Sequence, residues 1–395
     1  MFGSRVGKCY NIAELRKLAR KKMPAPMFHY IDGAADDEWT LRRNTAAFDQ
    51  YEFMPRALVD VSKIDMSTTL FGQRLDWPFF CSPTALQRLF NHEGERAVAR
   101  AAHATGTIFS LSSISSTNIE DTAKLTPGPK VFQVYVFKDR SLSREFVQRA
   151  KDSKYVALQL TVDVTVSGNR ERDIVTGMTV PPKLGLMSLF DIARKPAWVF
   201  RHLTTPKIEV ANVAHRPPPG SESLGGIIQY LNNQIDRGVT WKDAEWMIRE
   251  WGGPFAIKGI MTAADAKRAA DVGATAVMVS NHGGRQLDFS PAPLDVLDEI
   301  VQSVGDRLEV VLDGGVRRGT HVLKALALGA RACSAGRPHL YGLGAGGEAG
   351  ALRALNLLKT EIARDMALLG VASLREIDSS LVRRVRSARD VVPPR

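Results

Sequence analysis

The segment Ser280-Asn281-His282-Gly283-Gly284-Arg285-Gln286-Leu287-Asp288 holds two side chains whose types and spacing can do chemistry. A histidine takes up a proton near neutral pH, and an arginine three residues later offers a planar fork that grips a carboxylate through two parallel hydrogen bonds. Together they point to a reaction on a small acid. The apolar run Ala-Val-Met-Val at 276–279 leads into the segment, and glycines and polar residues follow it. It therefore reads as a buried parallel strand ending in a loop, with His282 and Arg285 delivered at the C-terminal end.

The elements that must position this pair recur along the chain. Short apolar runs lie at 79–82, 108–111, 131–136, 156–162, 255–260, 276–280, 308–312 and 332–335. Helical stretches at 94–104, 143–150, 263–272, 294–304 and 319–328 separate most of them. Strands alternating with helices argue for an α/β fold with a parallel sheet, and a count of eight favours a (β/α)8 TIM barrel over an open doubly wound sheet. The barrel is expected over about 77–370, within one domain spanning 1–395. Ahead of it, residues 11–23 predict an N-terminal helix with Asn11 as N-cap, and 28–39 an aromatic helix broken at Gly33. Between the fourth and fifth strands, 174–253 form an insertion far longer than an ordinary βα loop.

Such barrels place their active sites at the C-terminal ends of the strands, so the polar residues there should converge. Strand one ends in Ser82-Pro83-Thr84-Ala85, strand two in Ser112-Ser113, and strand three carries Gln133 and Tyr135. Strand four gives Thr161 and Asp163, strand five Lys258, strand six Ser280, His282 and Arg285. Strands seven and eight end in Asp313-Gly314-Gly315-Val316-Arg317-Arg318-Gly319 and Gly336-Arg337-Pro338. Glycines that let backbone N–H groups approach an anion, with Arg317 and Arg337 adding charge, read as a phosphate cradle. No Gly-Lys-Ser/Thr ending and no strand-following GxGxxG is present, so a mononucleotide of the FMN type fits better than a dinucleotide.

Composition narrows the function further. At 395 residues and 44% hydrophobic the chain can bury a large core, and its formal charge of +11 is spread along the sequence rather than gathered in one tract. That distribution argues against nucleic acid as a partner. Cys9, Cys81 and Cys333 have neither metal-ligand spacing nor a disulfide framework. No metal is expected, and with no apolar run long enough to cross a bilayer the expected location is cytoplasmic.

The motifs at 280–288 and 313–319 resemble those of the FMN-dependent L-2-hydroxy acid dehydrogenases and oxidases, the family of glycolate oxidase, lactate oxidase, mandelate dehydrogenase and L-lactate dehydrogenase. The similarity runs from about 11 to about 381. Phe28-His29-Tyr30-Ile31-Asp32-Gly33 followed by Trp-Thr-Leu-Arg-Arg-Asn at 39–44 most resembles the bacterial quinone-linked L-lactate dehydrogenases. The resemblance implies FMN as cofactor, His282 as catalytic base, and Asp163 as the carboxylate that orients it. Tyr30, Arg170 and Arg285 would hold the substrate carboxylate, and Tyr135 would bond the reacting substrate. Lys258 would face the flavin N1 and C2 carbonyl. Thr84, Ala85, Ser112, Gln133, Thr161 and Ser280 would contact the ring or ribityl, and Asp313, Gly315, Arg317, Gly336 and Arg337 the ribityl and phosphate.

The same resemblance implies a small substrate such as L-lactate, a quinone or oxygen as acceptor, and a homo-oligomer of tetrameric type. Ile114 stands where glycolate-type oxidases often carry a large aromatic, and Ala85 is shared by oxidases and dehydrogenases. The insertion carries apolar and aromatic residues beside basic ones around 194–202, which suits a peripheral site on the cytoplasmic face of the inner membrane. A lid over the site or a subunit contact is the other reading of that segment. His282→Ala is predicted to retain flavin but to lose about 100- to 10,000-fold in the rate of flavin reduction by L-lactate. Stopped-flow bleaching at the wild-type rate would contradict this.

Overall fold

The computed structural model of the chain describes residues 5–179, 182–216 and 223–385. Eight parallel strands close into a barrel: β1 Phe79–Thr84, β2 Phe109–Ser112, β3 Lys130–Val134, β4 Ala157–Thr161, β5 Phe255–Ile260, β6 Ala276–Val279, β7 Glu309–Asp313 and β8 Ala332–Ala335. Each pairs with its neighbours in sequence, and β8 closes the ring on β1 with Cys333 opposite Phe79. Most of these strands are buried along their whole length, which is why they read as continuous apolar runs. Their ends differ from the sequence expectation by one or two residues; Tyr135, for example, follows β3 instead of lying in it.

The barrel interior divides into two ends. At the N-terminal ends of the strands Phe80, Val131, Ala157, Ala256, Met278 and Val311 form an apolar floor. A hairpin pairing Thr68–Leu70 with Gln73–Leu75 closes it from below with Phe71 and Leu75. The polar residues lie at the opposite ends. In β1 the register shifts between Cys81 and Thr84, where Pro83 has no N–H to give the ladder, and this bulge turns Thr84 towards the barrel mouth.

The N-terminal unit comprises α1 Ile12–Lys22, α2 Ala25–Asp32 and α3 Trp39–Ala46. Asn11 caps α1 as expected, its side chain accepting from the Glu14 N–H at 2.8 Å. The helices that follow are α4 Gly94–Ala104, α5 Ile119–Lys124 and α6 Arg140–Asp152. The insertion is itself helical: α7 Glu171–Thr176, α8 Leu186–Ala193, α9 Pro196–Leu203 and α10 Leu224–Gln234 precede α11 Trp241–Trp251. Its proline-rich stretch at 217–219 lies outside the described residues. Fully buried Asn212 ties it to the barrel, donating to the Ser113 carbonyl at 3.0 Å and accepting from the Ile119 N–H at 3.0 Å. The chain then runs through α12 Ala263–Asp271, α13 Pro293–Val304, α14 Gly319–Ala327 and α15 Arg337–Leu369, the last kinked at Gly346 and Gly347.

One contact fixes the N-terminal unit over the barrel mouth. The side-chain amides of Asn44 in α3 and Asn281 after β6 exchange two hydrogen bonds of 2.8 Å, both residues buried. Asn281 also accepts from the Gly284 N–H at 3.2 Å, so it shapes the loop that carries His282. Asn281→Ala leaves the Asn44 amide buried and unpaired, and should lower stability by about 2–4 kcal/mol in a denaturant titration. An unchanged midpoint would show that the pair does not bear on the fold.

Candidate active site

His282 follows β6 in a left-handed backbone conformation, φ 57°, which a non-glycine residue adopts only where its surroundings enforce it. Its N–H donates to Ser280 Oγ at 3.2 Å. The ring Nδ1 lies 2.9 Å from Asp163 Oδ1, so a proton on Nδ1 leaves the lone pair of Nε2 for the cavity that His282 lines. Burial lowers the His282 pKa below the ordinary 6.5, with Asp163 opposing and Lys258 assisting. Burial pushes the Asp163 carboxyl up, but the facing His282 and Lys258 outweigh it and hold it below the usual range. Gly259, at φ +109°, makes this approach feasible: a Cβ there would come within 2.8 Å of Asp163 Cβ.

Lys258 sits behind this pair, its side chain 5% exposed. Its Nζ donates to Ser280 Oγ at 3.0 Å and lies 3.3 Å from Asp313 Oδ2 and 4.0 Å from Asp163 Oδ2. Burial alone would lower this ammonium, yet the two carboxylates raise it above the usual value. Asp313 is in turn held by the hydroxyls of Ser82, of Ser280 at 2.7 Å and of Ser334 at 2.7 Å. Ser82 stood among the strand-end residues expected to converge, whereas Ser334 was not placed in the site from sequence; the signal for both was their position on β1 and β8 beside the end of β7. Ser280 differs from expectation: it is fully buried and its hydroxyl serves Lys258, Asp313 and the His282 N–H instead of facing the cavity.

Arginines form the opposite wall. Arg285 Nη1 donates to the carbonyls of Tyr30 at 2.6 Å and Gly33 at 3.0 Å, and its guanidinium lies 4.9 Å from the centre of the Tyr30 ring. Burial, with Arg170 adding repulsion, lowers Arg285 to about 9, so it stays cationic at neutral pH. Arg170 donates to the Arg285 carbonyl at 3.3 Å and to Gln286 Oε1 at 3.2 Å. Tyr135 completes this side, its phenol pushed up by burial and then by the Asp163 charge. Asp173, three residues after Arg170, also lines the cavity and was missed from sequence. It is buried, 4.0 Å from Arg285, and its Oδ1 has no partner.

These walls enclose a cavity of about 710 Å³. Thr84, Ala85, Ser112, Gln133, Thr161 and Lys258 line it on one side. Asp313, Gly315, Arg317, Gly336 and Arg337 line the end nearest β7 and β8. Asp163 and Ser280 stand one contact behind. Gln133 Nε2 and Thr161 Oγ1 are buried there without partners, a donor and a hydroxyl aimed at whatever fills the space. Gly314 and Gly315 have φ of 105° and 72°, and a Cβ on Gly336 would come within 2.9 Å of Thr84, so the backbone leaves room for a close-fitting anion. Arg317 is half-buried, and desolvation lowers its guanidinium to about 10. Arg337 departs from the simple phosphate assignment: its guanidinium donates to the carbonyls of Ile31, Gly283 and Gly33 at 2.8–2.9 Å, using three of its five N–H donors.

A flavin mononucleotide suits this combination of a polar ring edge, a fixed cation and a glycine-arginine cradle, and comparison with known proteins decides the family. The model of the FMN-dependent dehydrogenases matches residues 19–384. The chain belongs to that family. It is 41% identical to glycolate oxidase 3 of Arabidopsis thaliana over 373 residues, 94% of this chain and 95% of that protein. Glycolate oxidase of Spinacia oleracea is 41% identical over 370 residues, 94% of each chain. Among solved structures, monotopic membrane (S)-mandelate dehydrogenase superposes with a TM-score of 0.92 at 34% identity, covering 96% of this chain and all of that one. The chain is thus an FMN-dependent oxidoreductase of the 2-hydroxy acid type. Thr161, Gln133, Lys258, Arg317 and the glycines at 314, 315 and 336 are the residues suited to hold FMN, which supplies a two-electron acceptor.

Because His282 lies below its ordinary pKa and only its neutral form accepts a proton, the acid limb of kcat/KM should fall below pH 6.5. Asp163 opposes that lowering, so Asp163→Asn should move the limb to still lower pH while reducing the rate by about 100- to 10,000-fold. A limb that moves up in the variant would contradict the arrangement.

Proposed function

We propose that this chain oxidises a small L-2-hydroxy acid to the 2-oxo acid and passes the two electrons through FMN to molecular oxygen, releasing hydrogen peroxide. The observation that carries the first half is the facing of His282 Nε2, backed by Asp163, against Arg285, Arg170, Tyr30 and Tyr135 across one cavity. The arginines bind the carboxylate, the Tyr135 phenol bonds the substrate oxygen, and His282 receives the proton as the electron pair leaves. Asp163 stabilises the imidazolium so formed, and Lys258, which lines the cavity, would offset negative charge on a bound flavin ring. Ile114, Met178 and Ile228 give the remaining wall an aliphatic character, which suits a short or apolar 2-substituent. L-lactate and glycolate are the first substrates to test, mandelate the larger one.

The names of the relatives support oxygen as acceptor, since glycolate oxidases match at 40–41% identity. The lactate-specific, quinone-linked expectation drawn from sequence gives way to this broader reading. One observation favours transfer to a membrane quinone as a second reading. No residue of α8 or α9 is buried, and Leu186, Met187, Phe190, Phe200 and Leu203 are 60–85% exposed beside Arg194 and Arg201. Such a face suits the surface of an anionic membrane on the cytoplasmic side. Among the described residues no helix is long and apolar enough to cross one.

The deciding experiment reduces the enzyme with L-lactate and follows flavin reoxidation by oxygen and by a short-chain quinone. Fast reoxidation by oxygen with stoichiometric peroxide is the expected result, and a reaction confined to the quinone would overturn it. Under the second reading, exchanging Leu186, Met187, Phe200 and Leu203 for serine should move the protein out of the membrane fraction. Lactate-driven reduction of a soluble dye should persist.

A further inference from the structure

Two polar side chains of α8 and the turn that follows it, Asp191 and Lys195, meet the junction of α1 and α2 with opposite charges. Lys195 Nζ donates to the carbonyl of Lys21, in the last turn of α1, at 2.9 Å. Asp191 Oδ2 accepts from the N–H of Ala25, the first residue of α2, at 2.5 Å. The cation therefore lies at the negative end of one helix dipole and the carboxylate at the positive end of the next. The residue before α2 is Pro24, which gives no side-chain hydrogen bond, so the cap comes from the insertion, 166 residues away.

Helix α2 is the element on which the arginine wall rests. Its last turn and Gly33 offer the carbonyls of Tyr30, Ile31 and Gly33 to Arg285 and Arg337, and the Tyr30 ring lies beneath the Arg285 guanidinium. A shift of α2 along its axis therefore moves the ring and both guanidinium anchors together. We propose that Asp191 and Lys195 are positioning residues for substrate: by clamping the α1–α2 junction from its two charged poles, they set the aim of Tyr30 and Arg285 at the substrate carboxylate. The inference takes its substrate from the function proposed above, and it does not depend on whether α8 and α9 touch a membrane.

The test uses the full-length, FMN-loaded chain with Asp191→Asn and Lys195→Met, alongside the charge-keeping Asp191→Glu and Lys195→Arg. Oxalate, a carboxylate probe, is titrated by the change in flavin absorbance, and KM and kcat are measured with L-lactate and a soluble dye. A carboxylate contact made equally in ground and transition states shows in KM more than in kcat. Asp191→Asn and Lys195→Met should each raise the oxalate Kd and the lactate KM by about three- to ten-fold with kcat nearly unchanged. The charge-keeping variants should recover most of the loss. A lower melting temperature with unchanged Kd and KM would overturn the inference in favour of a purely structural clamp, as would failure of the charge-keeping variants to differ from the neutral ones. If Asp191→Asn does not fold, Lys195→Met reads the same coupling from the other pole. Wild-type turnover of L-2-hydroxy acids judges the proposed function separately, because the clamp is judged only by the ratio of variant to wild type.

Discussion

The site depends on a buried lysine that must keep its charge. An ammonium taken out of water without partners costs several kcal/mol and would shed its proton instead. Lys258 avoids this because Asp163 and Asp313 converge on it from β4 and β7, and because Ser82, Ser280 and Ser334 supply hydroxyl donors to Asp313. Those few side chains come from β1, β4, β5, β7, β8 and the end of β6, so the closure of the barrel and the charge state of its mouth are one requirement. With Asp163 and Asp313 ionised and Lys258 protonated, the array carries one net negative charge. Protonation of His282 brings it to neutrality; within the array Asp163 favours the imidazolium that a base must become, while burial and Lys258 oppose it.

The second dependence is on α2. Its apolar residues Phe28 and Ile31 are buried, and its carbonyls at 30, 31 and 33 hold Arg285 and Arg337. A guanidinium whose donors are fixed on carbonyls loses rotamer freedom before any ligand arrives, so its remaining N–H groups are aimed in advance. Asp32, at the end of the same helix, draws in Arg16, Arg172 and Tyr341, and those contacts hold its carboxyl down at about 2 against the opposing effect of burial. The N-terminal unit is thus part of the site's wall, its Asp32 joined to Tyr341, 309 positions away.

What could be read from sequence follows from this geometry. The eight strands were legible because a parallel strand buried on both faces needs apolar side chains at every position, and such runs survive without tertiary information. His282, Asp163, Lys258 and Arg285 were legible because a strand end fixes where a side chain must point. The floor hairpin was not, since Phe71 and Leu75 find their partners only once the barrel has closed. Single serines such as Ser82 and Ser334 serve equally well as turn formers, so their service to Asp313 left no mark. Arg337 was legible as a cation at a strand end but not as the brace of α2, because that role needs Gly33, 304 residues earlier.

The insertion inverts the usual arrangement of a surface helix. Asp191 and Lys195 turn inward to hydrogen bonds, while Leu186, Met187, Phe190, Phe200 and Leu203 face out. Burying one such side chain is worth about 1.5–3 kcal/mol, and a scattered exposed residue needs no explanation, but five on two adjacent short helices make a patch that monomers rarely leave uncovered. The helices are eight residues each, about 12 Å long at 1.5 Å per residue, against about 30 Å for a bilayer core. They are too short to cross a membrane and the right size to lie in its surface, with the inward charges keeping the far side tied to α1 and α2. On the positioning role proposed above, a surface pulling on α8 would act on the α1–α2 junction through the Asp191–Ala25 and Lys195–Lys21 hydrogen bonds.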